Sequence, residues 1–131
     1  MRTLVRAVGR TDIGGEPLPS VFRAFDSNKI ILRRAEVSML AGTPGVGKST
    51  LALALALKMK VPSLYISADT NAHTMAMRLA SMISGKNQTD VESLMNTDYG
   101  WTKATLAKGS HIVWSFESSP SLQDIDELIL N

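Results

Sequence analysis

The chain has 131 residues, of which 44 % are hydrophobic, with a formal net charge of +2 and no cysteine. This length suits one domain with an ordinary core, and the lack of cysteine excludes disulfides, thiolate chemistry and cysteine-based metal sites. The charge is uneven, because residues 1–60 carry ten Lys and Arg against four Asp and Glu, whereas residues 61–131 carry four against eight. A basic first part suits phosphates or nucleic acid, but it is equally common on plain solvated surfaces.

The apolar segments are too short to span a membrane. The longest apolar run, Leu51–Leu57, is far below the roughly 20 residues that cross a bilayer. Residues 1–10 contain three arginines and lack the apolar centre of a secretory signal. The sequence therefore predicts a soluble, cytoplasmic protein with no membrane partner.

The first part of the chain combines an irregular segment with a strand that leads into a helix. Glycines and prolines in DIGGEPLPS predict an irregular N-terminal arm over residues 1–20, followed by a domain over residues 21–131. EVSMLAG predicts a short buried strand at about Val37–Ala41. LALALAL alternates in size and not in polarity, and since Leu and Ala are both strong helix formers it predicts a helix from Ser49 to about Met59.

The next segment predicts a second strand and an amphipathic helix. SLYIS, at Ser63–Ser67, has the composition of a short strand. After it, Gly85 is predicted to stop a helix whose apolar stripe consists of Met75, Leu79, Met82 and Ile83.

The last part of the chain predicts a third strand with helices on either side. A capping box of Thr89 and Glu92 predicts a short helix from Asp90. HIVWSF, at His111–Phe116, predicts the strand, and Ser121 is predicted to cap the final helix. The alternation of strands and helices along the chain favours an α/β fold with a mostly parallel sheet covered by helices.

The segment between the first predicted strand and its helix has the pattern G-x-x-x-x-G-K-[ST], a phosphate-binding loop. Glycines let such a loop curl so that backbone N–H groups converge on phosphates, and the following helix adds the positive end of its dipole. The lysine reaches the β- and γ-phosphates, and the serine hydroxyl can ligate Mg²⁺. The pattern assigns these roles to Lys48 and Ser49, within a loop formed by Gly42, Thr43, Pro44, Gly45, Val46, Gly47, Lys48 and Ser49.

Asp69 follows the second predicted strand, at the end where ligand groups gather in an open α/β sheet. A carboxylate at this place can orient an attacking water and accept its proton. Aspartate is also among the best helix N-caps, so Asp69 is equally a candidate cap for the next helix. The residues alone leave both roles open.

Two segments of the sequence resemble the RecA-like ATPases, and within them the DnaB-type hexameric helicases with their KaiC and RadA relatives. ILRRAEVSMLAGTPGVGKSTLALALAL resembles the family's Walker A strand, loop and helix. SLYISADTNAHTMAMRLASMISG resembles the unit that follows, with Met77-Arg78-Leu79 matching an M-R-L-like segment. The resemblance implies a three-layer RecA-like P-loop NTPase fold, ATP and Mg²⁺ as cofactors, a nucleotide loop from Gly42 to Thr50, and Asp69 as the catalytic carboxylate, where the family usually has glutamate.

The family that the sequence resembles has further parts, and these are not found in the sequence up to Asn131. These are the Walker B aspartate that holds Mg²⁺, the DNA-binding loops and the arginine finger. The expectation is therefore an incomplete core, with residues 21–131 forming the N-terminal part of the ATPase domain. A fragment, a split ATPase completed by a second polypeptide, and a truncated nucleotide-binding regulator all stay open.

The leading function is ATP binding, with Lys48 and Asp69 as catalytic residues. Hydrolysis would be coupled to DNA unwinding or remodelling once a homo-oligomer or a second polypeptide supplies the Walker B and arginine-finger elements. One alternative is a non-catalytic nucleotide-binding partner or regulator. Another is a small-molecule P-loop kinase, which needs a basic lid, whereas residues 86–110 contain three lysines and no arginine.

Overall fold

The computed structural model describes residues 15–130. The chain divides into two compact units, with the boundary between Lys48 and Ser49. Most of the predicted N-terminal arm, residues 1–14, lies outside the described residues.

The described part of the first unit contains a short antiparallel contact and one short helix. Pro17 and Arg33 form an isolated bridge, beside which the N–H of Arg34 donates to the carbonyl of Glu16 at 3.0 Å. Helix α1, Arg23–Ser27, lies in the connection between the two bridged segments. The end of the predicted irregular arm is therefore paired with a later segment of the chain.

The predicted buried strand at Val37–Ala41 is wrong. These residues form no strand, and the side chains of Val37 and Met39 are almost fully exposed, at 102 % and 92 %. An interior strand must satisfy its backbone N–H and carbonyl groups through neighbouring strands. Among residues 15–130, this segment has no ladder partner, so its apolar composition does not lead to burial.

The second unit is a mixed α/β arrangement around a small parallel sheet. Its elements are α2 (Lys48–Met59, which begins at the last residue of the first unit), β1 (Ser63–Ile66), α3 (Ala72–Ser84), α4 (Gln88–Thr97), α5 (Tyr99–Ala107), β2 (Ile112–Ser115) and α6 (Leu122–Leu130). The strands β1 and β2 pair in parallel, with Ser63 opposite Ile112 and Ile66 opposite Ser115. The three helices between them form the crossover that parallel strands require. The predicted α/β fold with a parallel sheet is confirmed on this small scale.

Two helix ends behave as the sequence predicts. Gly85 ends α3 in the left-handed conformation, with φ +71°, and its N–H donates to the carbonyl of Ser81. At α6, the hydroxyl of Ser121 accepts from the N–H of Asp124, while the Asp124 carboxylate accepts from the hydroxyl and the N–H of Ser121. Both hydrogen bonds lower the pKa of Asp124 below its ordinary value, and the bond from the hydroxyl has the larger effect.

The predicted start of α4 at Asp90 is wrong. Asn87 caps this helix by accepting from the N–H of Asp90 at 2.8 Å, so the helix begins at Gln88. Asparagine is at least as good a cap as threonine. The earlier residue therefore takes the cap position, and the capping box of Thr89 and Glu92 does not form.

The core of the second unit lies where α2 and α3 meet β2. Four buried side chains form it: Leu53, Met75, Leu79 and Ile112. The stripe of α3 thus faces the core as predicted, with Met82 and Ile83 half-buried against it. Most other apolar residues of α2 are half-buried, and α6 has no buried residue among those described. This core fixes α2, whose first residue ends the glycine loop.

Candidate nucleotide-binding site

The glycine loop has the curled backbone that its sequence pattern predicts. Gly45 and Gly47 adopt φ of +79° and +94°, in the region that side-chain-bearing residues avoid. Between them, the N–H of Val46 donates to the carbonyl of Thr43 at 3.4 Å, which closes a turn. The loop then passes directly into α2 at Lys48.

The ammonium of Lys48 is held at the loop. Its Nζ donates to the carbonyl of Gly42 at 2.9 Å and to that of Thr43 at 3.0 Å. A lysine ammonium has three donors, and it attracts a phosphate anion more strongly than a neutral carbonyl because the two charges are opposite. The two carbonyls therefore place the ammonium beside the loop, and a phosphate offers it a stronger partner.

The loop and the helix start fit the phosphates of a nucleotide. Gly42–Gly47 are exposed, and a Cβ built at Gly45 or Gly47 would meet no atom within 4 Å. The first N–H groups of a helix have no acceptor within it, and the helix dipole favours an anion there. The first turn of α2 contains no acidic residue, so no carboxylate of that turn competes for these donors.

Ser49 and Thr50 are exposed residues in the first turn of α2. Within residues 15–130, no group of three or more His, Asp or Glu side chains is placed to hold a metal ion. The predicted Mg²⁺ ligand is the side-chain hydroxyl of Ser49. Its metal role and the nucleotide role of Thr50 remain predictions.

Asp69 lies three residues after β1 and is exposed. Its carboxylate accepts from the hydroxyl of Thr70 at 3.2 Å. The cap of α3 is Asn71, whose side chain accepts from the N–H of Thr74 at 2.9 Å. The interpretation of Asp69 as the helix cap is therefore wrong, and its catalytic role remains a prediction. Asp69 belongs to the second unit, whereas Gly42–Lys48 belong to the first.

Tyr65 and Arg78 share an electrostatic environment with Asp69 that the sequence analysis did not find. Burial raises the pKa of Tyr65 above its ordinary value, the charge of Arg78 lowers it, and the charge of Asp69 raises it further. Tyr65 stands opposite Trp114 in the sheet, with ring centroids 5.0 Å apart. Arg78 is the central residue of the M-R-L segment, which was the one signal in the sequence that singled it out.

A curled glycine loop that holds its lysine and continues into a core-packed helix defines a P-loop nucleotide-binding domain. Residues 38–108, just over half of the chain, match the family described as ATPase family associated with various cellular activities (AAA). The chain belongs to this family, and membership indicates a nucleotide-binding ATPase.

Two phage proteins are similar to this chain. It is 35 % identical over 116 residues to the Gene 65 protein of Mycobacterium phage L5. This match covers 88 % of the chain and 43 % of that protein. It is 34 % identical over 92 residues to the Gene 65 protein of Mycobacterium phage D29, which covers 70 % of the chain and 40 % of that protein. The chain thus spans less than half the length of these relatives. No solved structure matches it.

Among residues 15–130, no helix combines the length and the apolar content that crossing a membrane requires.

Proposed function

We propose that this chain binds ATP with Mg²⁺ through Gly42–Thr50. The observation that carries the proposal is the loop itself, in which two left-handed glycines curl the backbone and Lys48 is held by two loop carbonyls. The match to an ATPase family over residues 38–108 supports the same ligand class.

Each residue of the loop has a physical role in this proposal. The glycines let backbone N–H groups turn toward the phosphates. Lys48 supplies a positive charge to the β- and γ-phosphates, and the hydroxyl of Ser49 is an oxygen ligand of the kind Mg²⁺ prefers. The dipole of α2 adds partial positive charge at the same end.

The experiment that tests this proposal replaces Lys48 by alanine and measures the dissociation constant for Mg²⁺·ATP by calorimetry. Loss of a charge-assisted contact predicts an affinity lower by about tenfold to a hundredfold. Lys103→Ala removes the same charge from an exposed position on α5 and serves as the control. Equal affinity of the Lys48→Ala variant and the parent chain, with the helical circular dichroism unchanged, would refute the assignment.

We further propose that the chain works within a longer ATPase of the RecA-like, DnaB-type helicase class. The Gene 65 relatives are more than twice as long as the matched region, which leaves room for a Walker B carboxylate and an arginine finger. In such an assembly, formed with further copies or with a second polypeptide, ATP hydrolysis would be coupled to DNA unwinding or remodelling. Asp69 would orient the attacking water and accept its proton.

Turnover measurements test this second proposal. The chain alone should hydrolyse ATP near the background rate, with or without single-stranded DNA, because the Walker B carboxylate and the arginine finger are proposed to come from the further elements of the assembly. In an assembly that does turn over ATP, Asp69→Asn should lower kcat by roughly 10²- to 10⁴-fold, the contribution of a general base. Rapid hydrolysis by the isolated monomer would contradict the need for further elements. An unchanged kcat in the Asp69→Asn assembly would contradict the role of Asp69.

A further inference from the structure

The turn between β1 and α3, residues 67–71, carries Asp69 and is fixed to packed elements at its two ends. At the first end, the N–H of Ser67 donates to the carbonyl of Ser115 at 2.9 Å, which continues the pairing of β1 with β2. At the second end, Asn71 caps α3, and this helix is held in the core by the buried side chain of Met75. The sheet and the core therefore fix both flanks of Asp69.

The middle of the turn has few interactions of its own. Ala68 and Asp69 are exposed, and within residues 15–130 no backbone–backbone hydrogen bond involves residues 68–70. Exposed backbone with few hydrogen bonds belongs to the least stable part of a fold. The two fixed ends alone therefore do not determine where the carboxylate of Asp69 lies.

One buried hydroxyl spans the turn. The hydroxyl of Ser67 donates to the carbonyl of Thr70 at 2.9 Å, and Ser67 is only 6 % exposed. The hydrogen bond joins the residue that is held by β2 to the residue that follows Asp69. A buried hydroxyl is costly unless it is hydrogen-bonded, and water has little access to replace this partner. The bond therefore restrains the backbone on both sides of Asp69.

A second hydroxyl contacts the carboxylate directly but restrains it less. The hydroxyl of Thr70 donates to the carboxylate of Asp69 at 3.2 Å, which is longer than the usual O–H···O distance of about 2.7–2.8 Å. This bond is exposed, so water can take the place of either partner. We therefore expect Ser67 to contribute more than Thr70 to the position of Asp69.

We propose that Ser67 is a positioning residue for ATP hydrolysis, because its hydroxyl holds the turn that carries Asp69 at the carboxyl end of β1. Its role rests on the proposed function, in which Asp69 orients the attacking water. A general base must lie within hydrogen-bonding distance of the proton that it removes, and a displacement of about 1 Å can lower the rate on the order of a hundredfold. Ser67 acts through Asp69 and not on the substrate.

The first test measures backbone order in the whole ¹⁵N-labelled chain by NMR relaxation. The amides of residues 68–70 should have order parameters near about 0.85, the value of rigid backbone, and Ser67→Ala should lower them toward about 0.6. Ser63→Ala is the matched control, because it removes a hydroxyl-to-carbonyl hydrogen bond of the same length, 2.9 Å, at the opposite end of β1. This control should leave residues 68–70 unchanged.

The second test measures turnover in an assembly that hydrolyses ATP. Ser67→Ala should lower kcat by roughly tenfold to a hundredfold and leave KM within about twofold, because the hydroxyl does not contribute to ATP binding. Thr70→Val should lower kcat by at most about threefold, since water can replace its exposed bond. In an Asp69→Asn background, Ser67→Ala should have no further effect, because no carboxylate remains to be positioned. A purely structural role would lower kcat again in that background.

Three results would overturn the proposal. On the chain alone, these are unchanged order at residues 68–70 in the Ser67→Ala variant, and an equal loss of order in the Ser63→Ala control. In the assembly, the third is an additive loss of kcat in the Ser67→Ala, Asp69→Asn double variant. Failure of the proposed function gives a different result, since kcat would then be unchanged by Asp69→Asn while Ser67→Ala still lowered the order of the turn.

Discussion

Replacement of Leu53 by alanine tests whether the helix after the glycine loop is fixed by the core. Leu53 is fully buried in α2, in one cluster with Met75, Leu79 and Ile112. Leucine to alanine at a fully buried position costs the transfer free energy of the lost carbons and the energy of the cavity that remains, together about 2–5 kcal/mol. Few other side chains are buried in the described residues, so we expect a loss of about 3 kcal/mol, a large share of the 5–15 kcal/mol typical of a folded domain.

The free energy of unfolding is measured in urea by tryptophan fluorescence in a Trp101→Phe background, because the remaining ring, Trp114, packs against the same cluster. The matched control is Leu122→Ala in α6, where the side chain is 83 % exposed and a change within about 0.5 kcal/mol is expected. A loss below about 1 kcal/mol for Leu53→Ala would mean that α2 is not fixed through this residue. Equal losses in the two variants would refute the reasoning from burial.

Two further changes test local conformation and local electrostatics. Gly85→Ala places a Cβ at φ +71° without any atom within 4 Å, so the loss of about 1 kcal/mol is purely conformational. Gly100→Ala, inside α5, should be neutral or stabilising in the same urea experiment. The pKa of Tyr65 should lie above 10.0, chiefly through burial, when phenolate absorbance is followed in a Tyr99→Phe variant. Because the folded state then holds this proton more tightly, the contribution of Tyr65 is complete below pH 10.0 and is lost as the pH rises through its folded pKa; titration at an unshifted value would contradict the burial of the ring.

Features that depend on neighbouring residues were predictable from the sequence. The loop pattern fixes where glycines curl the backbone, and Gly45 and Gly47 take the left-handed conformation that the pattern requires. The same holds for the stop of α3 at Gly85 and the cap of α6 at Ser121, since each hydrogen bond joins residues three or four apart. Helix periodicity also identified the core stripe of α3 correctly.

Errors arose where two local signals competed or where a partner lies far away along the chain. Asn87 and not Thr89 caps α4, and Asn71 and not Asp69 caps α3. Asparagine suits the cap position at least as well as threonine or aspartate does. The segment Val37–Ala41 has the composition of a buried strand, but a strand is buried only when other strands pair with it. The composition of this seven-residue segment does not show whether other strands pair with it.

The residues of the candidate nucleotide site differ in the same respect. The nucleotide loop is continuous, so one pattern identifies Gly42 to Ser49, and the family resemblance adds Thr50. The position of Asp69 is only partly predictable, because strand order predicts its end of the sheet but not its distance from the loop. The prediction of ATP binding therefore rests on a local pattern, whereas hydrolysis depends on how distant carboxylates are brought to that loop, and measured turnover decides it.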